Sequence, residues 1–373
     1  MSDLRLQCFD SIPQLLDARE PWNDLLQRCD VVAPTLRVEC IALWCETFAA
    51  GEPVRVIAVE QDGRLVAALP LVQQRLRHVV RVGSLPQNHW ANNGDLLLDR
   101  SCDVDVVLDA LVAGVSELPW SLLWLQDIAY ERPHWAAFQA AANRADKTTE
   151  VKQVGVVPQV EITDDWPAYD QDRKSSVRRN RRRNLRMLEK LGDVRLRIVN
   201  SASPDEVDTL VQRGFEVEDR SWKGEAGTSV VKTPGMLSYY QREAHHVAEY
   251  GELALTFLEL QGQPIAFNYG WQSRGVHYTA KIGYDDEFRK CGPGQQMVMQ
   301  LLEKLHGDES CDLLDFWGPE VDWHRGWATR NYPVGRLAVV NAGGVSPAVF
   351  RAYQRWQPRL CRLREHFSSQ TAT

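Results

Sequence analysis

The sequence lacks the features that mark disulfide-bonded, zinc-binding and membrane-spanning proteins. Its eight cysteines are scattered singly, with no Cys-x-x-Cys pair and no histidine at ligand spacing, which predicts reduced thiols and no metal site. No apolar run approaches the roughly 18 residues needed to span a bilayer. The N-terminus, Met1 to Arg5, does not begin a signal peptide. We therefore expect a cytoplasmic protein with no membrane span.

The net charge excludes a general attraction to nucleic acid or anionic membranes. The 373 residues have a formal net charge of -7, with 25% charged and 44% hydrophobic residues. A chain of this kind is mildly acidic, and it is long enough for one large core or two ordinary ones. Any basic site must therefore be local.

One basic segment stands between residues 173 and 190. It holds nine lysines and arginines, and Glu189 is its one acidic residue. Read as a helix, it has an intermittent apolar stripe of Val177, Leu185 and Leu188 on an otherwise positive surface. Because nine like charges repel one another, the segment favours a polyanion, an acyl carrier protein, a phosphorylated donor or a lipid head group as partner. No aromatic residue lies within it, which argues against single-stranded nucleic acid and makes nucleic acid the less favoured partner.

The chain repeats one pattern about two hundred residues apart. Each copy has a helix-like segment, an apolar strand, a tight turn with glycine and a second apolar strand. The helices are at 38–49 and 236–250, and the strand pairs are at 54–59 with 65–72 and at 253–258 with 265–269. Each half of the chain is therefore predicted to contain a mixed αβ unit.

The remaining periodic segments extend this pattern. Further strands are predicted at 96–98, 122–126, 276–282, 313–316 and 337–340, and further helices at 104–118, after Pro133, at 202–217 and at 295–306. Strands that alternate with helices after an initial hairpin favour an α/β (α+β) fold. We predict two tandem mixed-sheet domains flanked by helices.

The second half contains a candidate phosphate-binding loop, Arg-Lys-Cys-Gly-Pro-Gly at 289–294, between a strand and a helix. A diphosphate needs converging N–H donors, and a loop that opens a helix supplies them at the positive end of the helix dipole. Gly292 and Gly294 remove side chains where the anion would sit. Arg289 or Lys290 adds charge-assisted bonds, and Gln295 keeps its backbone N–H. A glycine pair before a helix is equally typical of a plain turn.

The pattern Arg-x-x-Gly-x-Gly in this setting resembles the loop of the GNAT acetyltransferase superfamily. Further runs resemble its CelD-like branch, named for an association with cellulose biosynthesis, whose relatives include the tandem-GNAT Fem-type peptidyltransferases. These runs are the arginine-rich stretch 178–186, Ser-Trp-Lys-Gly at 221–224, residues 278–284 and Asp-Phe-Trp-Gly at 315–318. The resemblance covers roughly residues 40–340. It departs at Cys291-Gly292-Pro293 and at His324-Arg325, where a Tyr-Lys pair is commoner.

The resemblance implies an acyltransferase with acyl-coenzyme A as its donor substrate and no tightly bound cofactor. It implies that the strand before the loop splays from its neighbour, so that Lys281, Ile282 and Gly283 face the pantetheine arm. The first copy's counterpart of the loop, near residues 85–90, has no such motif. The implied domains are a GNAT-like domain without the phosphate loop at 1–165, a basic helical connector at 166–200, a GNAT acyl-CoA-binding domain at 201–345 and a helical tail at 346–373.

Acyl transfer from a thioester needs a positioned nucleophile, donors for the oxyanion and a proton for the leaving thiolate. Asp315, at the end of a strand, is a candidate base, although an aspartate there is equally typical of a turn cap. Lys223 is a candidate for binding the acceptor or the carbonyl, and Tyr284 for donating the proton. A solvated lysine and a packing tyrosine are the plainer interpretations of these two.

Four further residues are candidates for lining the acceptor groove: Trp222, Trp323, Arg325 and Trp327. Glu218 and Asp219 are alternative carboxylates, for which a surface position is the simpler interpretation. The acceptor itself is not indicated by any motif.

Three functions are consistent with these patterns. The first is a tandem-GNAT acyltransferase that moves an acetyl or longer acyl group from coenzyme A or a pantetheine carrier to an amine or hydroxyl, with a link to polysaccharide or cell-envelope metabolism. The second is a Fem-like aminoacyl-tRNA-dependent transferase or RNA-binding protein that uses the basic helix. The third is a non-catalytic GNAT scaffold in an exopolysaccharide assembly complex. The phosphate loop favours the first.

Overall fold

The structure of the protein is a computed structural model that describes residues 3–31, 33–76, 80–200, 202–341 and Phe350. In chain order its strands are β1 (Leu4–Phe9), β2 (Val54–Gln61), β3 (Arg64–Leu76), β4 (Val80–Ser84), β5 (Leu97–Leu98), β6 (Leu122–Ile128), β7 (Thr148–Glu161), β8 (Val194–Val199), β9 (Leu253–Leu260), β10 (Gln263–Ser273), β11 (Val276–Tyr284), β12 (Leu313–Asp315) and β13 (Arg330–Val340). Its helices are α1 (Ile12–Asp17), α2 (Arg19–Arg28), α3 (Val38–Phe48), α4 (Val104–Ser116), α5 (Pro133–Arg144), α6 (Trp166–Asp172), α7 (Ser175–Glu189), α8 (Pro204–Asp219), α9 (Trp222–Glu225), α10 (Met236–Ala248) and α11 (Pro293–Leu305). Among these residues, no helix combines the length and the apolar character that a membrane crossing requires.

The two predicted hairpins form, and their turns explain why. β2 joins β3 through residues 62–63, and β9 joins β10 through residues 261–262. All four turn residues have positive φ, between 51° and 81°. Positive φ at both central positions matches the right-handed twist of the flanking strands. The glycine at the second position of each turn adopts this conformation at little cost.

Among the described residues, the first compact unit comprises 3–30, 44–76, 80–154, 335–341 and Phe350. Its strands follow the order β1, β2, β3, β4, β6 and then residues 335–340 of β13. Neighbours are antiparallel, except that β4 and β6 run parallel. Helices α4 and α5 cover the sheet, and the core between them contains Leu108, Leu111, Trp135 and Phe138.

The second compact unit comprises the described residues 31, 33–43, 155–200 and 202–334. Its strands follow the order β8, β9, β10, β11, β12 and then residues 155–161 of β7, and β11 and β12 form the parallel pair. Helices α8 and α10 pack on one face, where Phe215 and Tyr240 lie 5.7 and 5.3 Å from the ring of Tyr269. Helix α11 packs on the opposite face, where Gly294 lies beside Ile282.

Both units repeat one strand order, in which antiparallel strands are followed by one parallel pair and a last antiparallel strand. The fold class is therefore the predicted one, with two mixed-sheet units flanked by helices.

Neither unit is a continuous stretch of chain, in contrast to the consecutive domains expected at 1–165 and 201–345. β7 begins in the first unit, but its residues 159–161 pair with β12 in the second. β13 begins in the second unit, but its residues 335–340 pair with β6 in the first. The expected connector at 166–200 contains α6, α7 and β8, which belong to the second unit. The expected tail at 346–373 lies outside the described residues, apart from Phe350.

Candidate active site

The phosphate loop predicted from the sequence lies between β11 and α11 in the second unit. After β11, Asp285 accepts a hydrogen bond from the N–H of Glu287 at 3.0 Å and starts a 3-10 helix, Asp286–Cys291. Gly292 follows with φ of +57° and precedes Pro293, the first residue of α11. The left-handed backbone at this position favours glycine. The loop therefore turns the chain sharply into the start of a helix.

Helix α11 begins with N–H groups that have no partner inside the helix. Its first intrahelical bond runs from Gln296 N–H to Gly292 O at 3.0 Å. The N–H groups of Gly294 and Gln295 precede that bond, and Pro293 has none. Because the positive end of the helix dipole coincides with these donors, the position favours an anion.

Strands β11 and β12 separate before they reach the loop. β12 pairs with β11 at Val276, His277 and Tyr278, and then ends at Asp315. The last six residues of β11, 279–284, have no partner on β12. A ligand that lies along this edge would meet strand backbone that β12 does not pair. This is the stretch in which the sequence resemblance implies a splay.

The three β11 positions expected along the pantetheine arm, Lys281, Ile282 and Gly283, alternate between the two faces of the sheet. A Cβ at Gly294 of α11 would lie 3.7 Å from Ile282 and 3.5 Å from Tyr284. On the other face, a Cβ at Gly283 would lie 2.7 Å from Glu218 of α8, and Lys281 points the same way. Alternate side chains of a strand point to opposite faces, so Lys281 and Gly283 cannot share a face with Ile282.

Helix α7, the predicted basic helix, packs against the phosphate loop. The side-chain amide of Gln296 donates to Arg181 O at 3.1 Å. A Cβ at Gly292 would lie 3.3 Å from Asn184 Nδ2. Leu188 is buried beneath the helix, whereas most of its basic side chains are exposed. The basic segment therefore stands next to the loop along the chain's second unit.

Most cations of the basic segment have no carboxylate partner. Arg181 pairs with Asp170 at 2.6 Å, Arg182 lies 3.8 Å from the same carboxylate, and Arg173 pairs with Asp172. Within the part of the chain that the structure describes, six others form no ion pair: Lys174, Arg178, Arg179, Arg183, Arg186 and Lys190. This concentration of unneutralised charge favours an anionic ligand.

A cavity of about 470 Å³ opens between α7, the start of α11 and the segment 322–327. Residues that the sequence singled out separately line it together: basic-segment residues, Gln295 and the acceptor-groove candidates Trp323, Arg325 and Trp327. Its lining residues include Lys174, Asn180, Arg181, Gln295, Gln296, Trp323, Arg325 and Trp327. The predicted loop cations Arg289 and Lys290 are exposed and do not belong to this lining.

The two tryptophans of the cavity, Trp323 and Trp327, are held by packing and hydrogen bonding. Trp323 packs edge-on against Phe316, with ring centres 5.5 Å apart. Trp327 is buried, and its carbonyl accepts a hydrogen bond from Tyr169 at 2.7 Å. Arg325 is exposed and bonds to Glu320 at 2.7 Å, so part of its charge is already neutralised.

Trp222 and Lys223 lie elsewhere, on α9, and do not line the cavity. The Trp222 side chain is 57% exposed. Lys223 Nζ donates to Glu218 Oε1 at 2.6 Å, and the N–H of Val230 donates to the other oxygen at 3.0 Å. Glu218 is only 3% exposed, so its interpretation as a surface charge is wrong. The local sequence pattern did not indicate this burial, because the space for Glu218 is left by Gly283 on a different element, β11.

Asp315 is buried at the end of β12 and accepts two short hydrogen bonds. Gln159 Nε2 donates to Oδ2 and the N–H of Trp317 donates to Oδ1, both at 2.7 Å. Trp317 has φ of +53°, a conformation that needs support in a bulky residue. This geometry favours a turn-holding role for Asp315 over a catalytic base.

Tyr284 lies where β11 meets the loop. It is partly buried and packs against an apolar cluster that includes Leu188, Cys291 and Met297. No hydrogen bond of its hydroxyl is found among the described residues. Its position is compatible with proton donation near the loop.

Known proteins resemble this chain in one segment of its sequence and in its fold. Residues 175–325 match the family described as acetyltransferase (GNAT) domain. FemX has a similar fold, with a TM-score of 0.58 and 12% identity over 90% of this chain and 97% of FemX. L-PGS from Bacillus licheniformis has a TM-score of 0.51 and 12% identity over 90% of this chain and 96% of its own. A conserved protein of unknown function from Bacteroides thetaiotaomicron VPI-5482 has a TM-score of 0.54 and 11% identity over 87% and 97%. No curated protein matches the chain.

The matched segment begins at α7 and ends at the cavity-lining Arg325, so it contains most of the basic segment, the loop and most of the cavity lining. Within this segment the chain is therefore similar to a GNAT acetyltransferase domain.

Proposed function

We propose that the protein transfers an acyl group from a coenzyme A or pantetheine-carrier thioester to an amine or hydroxyl, with the donor bound in the second unit. The observation that carries this proposal is the convergence of the loop, the splayed β11 edge and the cavity at one end of α11. A donor's phosphates would meet the N–H groups of Gly294 and Gln295. Its pantetheine arm would bond along residues 279–284 of β11.

The cations support the same donor. Lys174 lines the cavity and Arg289 and Lys290 flank the loop, and none of these three forms an ion pair within the described ranges. A nucleotide with several phosphates carries the charge that such a site lacks. Asn184, beside Gly292, adds a neutral donor that bonds to phosphate oxygen without further charge.

On the acceptor side, Lys223 and Trp222 remain our candidates for binding the acceptor, and Tyr284 for protonating the thiolate. The sequence resemblance to the CelD-like branch favours an acceptor in polysaccharide or cell-envelope metabolism. The acyl chain can be acetyl or longer.

Calorimetry with acetyl-CoA tests the donor site. The double variant R289A/K290A should bind at least about tenfold more weakly, equivalent to about 1.4 kcal/mol. The matched control is R195A/R197A, which removes two cations from β8, outside the loop and cavity lining. The control should bind normally. Equal affinity of both double variants, or equal binding of acetyl-CoA and a phosphate-free pantetheine thioester, would contradict the loop assignment.

A second candidate, engagement of RNA by the basic segment, is favoured by its six cations without carboxylate partners. It predicts RNA affinity that falls steeply with salt, because each neutralised phosphate releases a counterion. Replacing Arg178, Arg179 and Arg186 by alanine should flatten that salt dependence. Absence of RNA binding at low salt removes this candidate, and thioester turnover that requires Lys223 removes the non-catalytic scaffold.

A further inference from the structure

Lys281 lies on the face of β11 opposite the phosphate loop, among charged and hydroxyl side chains. Its Nζ is 5.7 Å from the ring centre of Tyr240, and its cross-strand partner is Tyr269. The charges that act on it come from Glu218 on α8, Lys223 on α9 and Glu243 on α10. The α8 and α10 face of the sheet therefore brings two carboxylates and two amines together.

The two carboxylates are fixed in position. Glu218 accepts the bonds from Lys223 and Val230 described above. Glu243 is 1% exposed and accepts hydrogen bonds from the hydroxyls of Tyr239 at 3.0 Å and Tyr269 at 3.1 Å. Lys281, in contrast, is partly exposed. Its ammonium therefore lies among charged groups whose positions are fixed.

An irregularity in the sheet determines where Lys281 points. The pairing of β10 with β11 shifts between Tyr269 and Gly270, which leaves Ala280 as an extra residue directly before Lys281. A bulge bends its strand and re-aims the next side chain, and bulges are common beside active sites. Gly270 allows it, because a Cβ there would collide with the carbonyl oxygen of Tyr278. Lys281 also belongs to the part of β11 that has separated from β12.

We propose that Lys281 is the proton acceptor for acyl transfer, the base that the sequence patterns placed at Asp315. The proposal rests on the proposed function, since it requires the thioester carbonyl to lie along the splayed edge of β11. Such a carbonyl would lie next to Lys281. An acceptor would approach it from the face of the sheet on which α8 and α10 pack. Glu218 and Glu243 act as positioning residues that stabilise the ammonium once it forms.

Acyl transfer through Lys281 conserves atoms and charge. The acceptor nitrogen or oxygen forms a bond to the carbonyl carbon while its proton passes to the neutral Lys281 amine. The tetrahedral intermediate then collapses, the carbon–sulfur bond breaks, and the thiolate leaves with the electron pair. The ammonium of Lys281 returns its proton to solvent, and the thiolate takes up a proton from Tyr284. No oxidant, metal or further reactant takes part.

The electrostatics agree with this role. Burial and the charge of Lys223 lower the pKa of Lys281 to about 8, while Glu218 and Glu243 act in the opposite direction. A lysine with this pKa is partly neutral near pH 8, as a general base must be. Burial also raises the pKa of Tyr240 and of Tyr269 well above the usual value. These two hydroxyls therefore stay protonated and do not compete as bases.

The experiment follows thiol release from acetyl-CoA by the full-length protein, with hydroxylamine as a small acceptor that needs no dedicated site. For the wild type, kcat/KM should rise with pH and level off above about pH 8, because the neutral amine is the active form. K281M should lose the pH-dependent limb and about 100-fold in rate. K281R should not restore it, because arginine stays protonated. Acetyl-CoA affinity by calorimetry should stay within about twofold in both variants.

Two neighbouring variants give shifts of opposite sign. E243Q removes a group that raises the Lys281 pKa, so the limb should move to lower pH. K223M removes a group that lowers it, so the limb should move to higher pH. Retention of the wild-type limb in K281M, or identical profiles in E243Q and K223M, would overturn the assignment. If the wild type itself did not bind acetyl-CoA, the proposed donor site would be wrong. The two failures are therefore distinguishable.

Discussion

Glu218 of α8 lies directly over Gly283 of β11, so closely that a Cβ on the glycine would be 2.7 Å from the glutamate Cβ and 2.8 Å from its Cα. The contact involves helix backbone, which cannot move aside as the end of a flexible side chain can. It brings a buried carboxylate to the strand that also carries the phosphate loop. Gly283 is therefore a packing residue that positions Glu218, and through it Lys223.

Gly283→Ala should destabilise the protein by about 1–3 kcal/mol, because an added methyl in a close-packed interface forces the helix outward. Urea unfolding measures the change. Lys223 should lose its fixed partner in the same variant, so catalysis should fall further than the unfolded fraction explains. An unchanged midpoint would show that α8 shifts without cost.

Gly294→Ala is the matched comparison in the phosphate loop. The added Cβ would be 3.5 Å from Tyr284 and 3.7 Å from Ile282, which are ordinary contact distances. Stability should therefore stay the same or rise slightly, since alanine is the better helix former. Acetyl-CoA affinity should nevertheless fall about tenfold, or about 1.4 kcal/mol, because the methyl occupies the path of the phosphate. Normal affinity in this variant would place the phosphates elsewhere.

Two variants of Asp315 distinguish a structural role of its carboxylate from a catalytic one. Asp315→Ala leaves the donors of Gln159 and Trp317 without acceptors, which should cost about 1–3 kcal/mol of unfolding free energy. Asp315→Asn keeps one acceptor and should retain a rate within about threefold of the wild type, where loss of a general base costs about 100-fold or more. Rates measured well below the unfolding temperature distinguish the outcomes. A drop of two orders of magnitude in the asparagine variant would restore Asp315 as the base.

From the burial of His277 we predict how the free energy of unfolding depends on pH. It is completely buried on β11, and burial lowers its pKa to about 4. Between pH 4 and 6.5 the unfolded chain binds the additional proton, so the unfolding free energy falls as the pH falls through this window. Between pH 7 and pH 5 the loss should be about 2 kcal/mol. Burial lowers the pKa of His324 to about 4 as well, so urea unfolding of His277→Gln should show a loss about 2 kcal/mol smaller than that of the wild type. The exposed control His89→Gln should match the wild type; equal slopes in both variants would contradict the account.

Local patterns in the sequence explain why the fold was largely predictable. The two hairpins combine apolar runs with turns that need positive φ, and the helix start at Ser203 is a capping box in which Glu206 accepts the Ser203 N–H at 3.1 Å. β7 was missed because Gly155 and Pro158 lie inside it, and both residues normally interrupt strands. β8 was missed although it alternates apolar and basic residues, which is a strand signal on a short segment.

The candidate site was predicted in its parts but not in its arrangement. The loop at 289–294 and the cavity aromatics stand out because unusual residues lie close together in sequence. The surround of Lys281 does not, since Glu218, Glu243 and Tyr269 come from three elements and meet only in the folded unit. Spacing within α10 contains one hint, because Tyr239 and Glu243 are four residues apart on one helix face and share a hydrogen bond.

The exchange of β7 and β13 between the units has a consequence for how the chain is made. During synthesis the first unit lacks its last strand until residues 335–340 leave the ribosome, although its other strands and helices are finished some two hundred residues earlier. The nascent first half must therefore wait with an open edge on β6, a surface that invites wrong pairing. An excised fragment of residues 175–325 has the converse defect, because it leaves β12 without the partner that β7 provides. Useful truncations of this protein will be those that keep both exchanged strands.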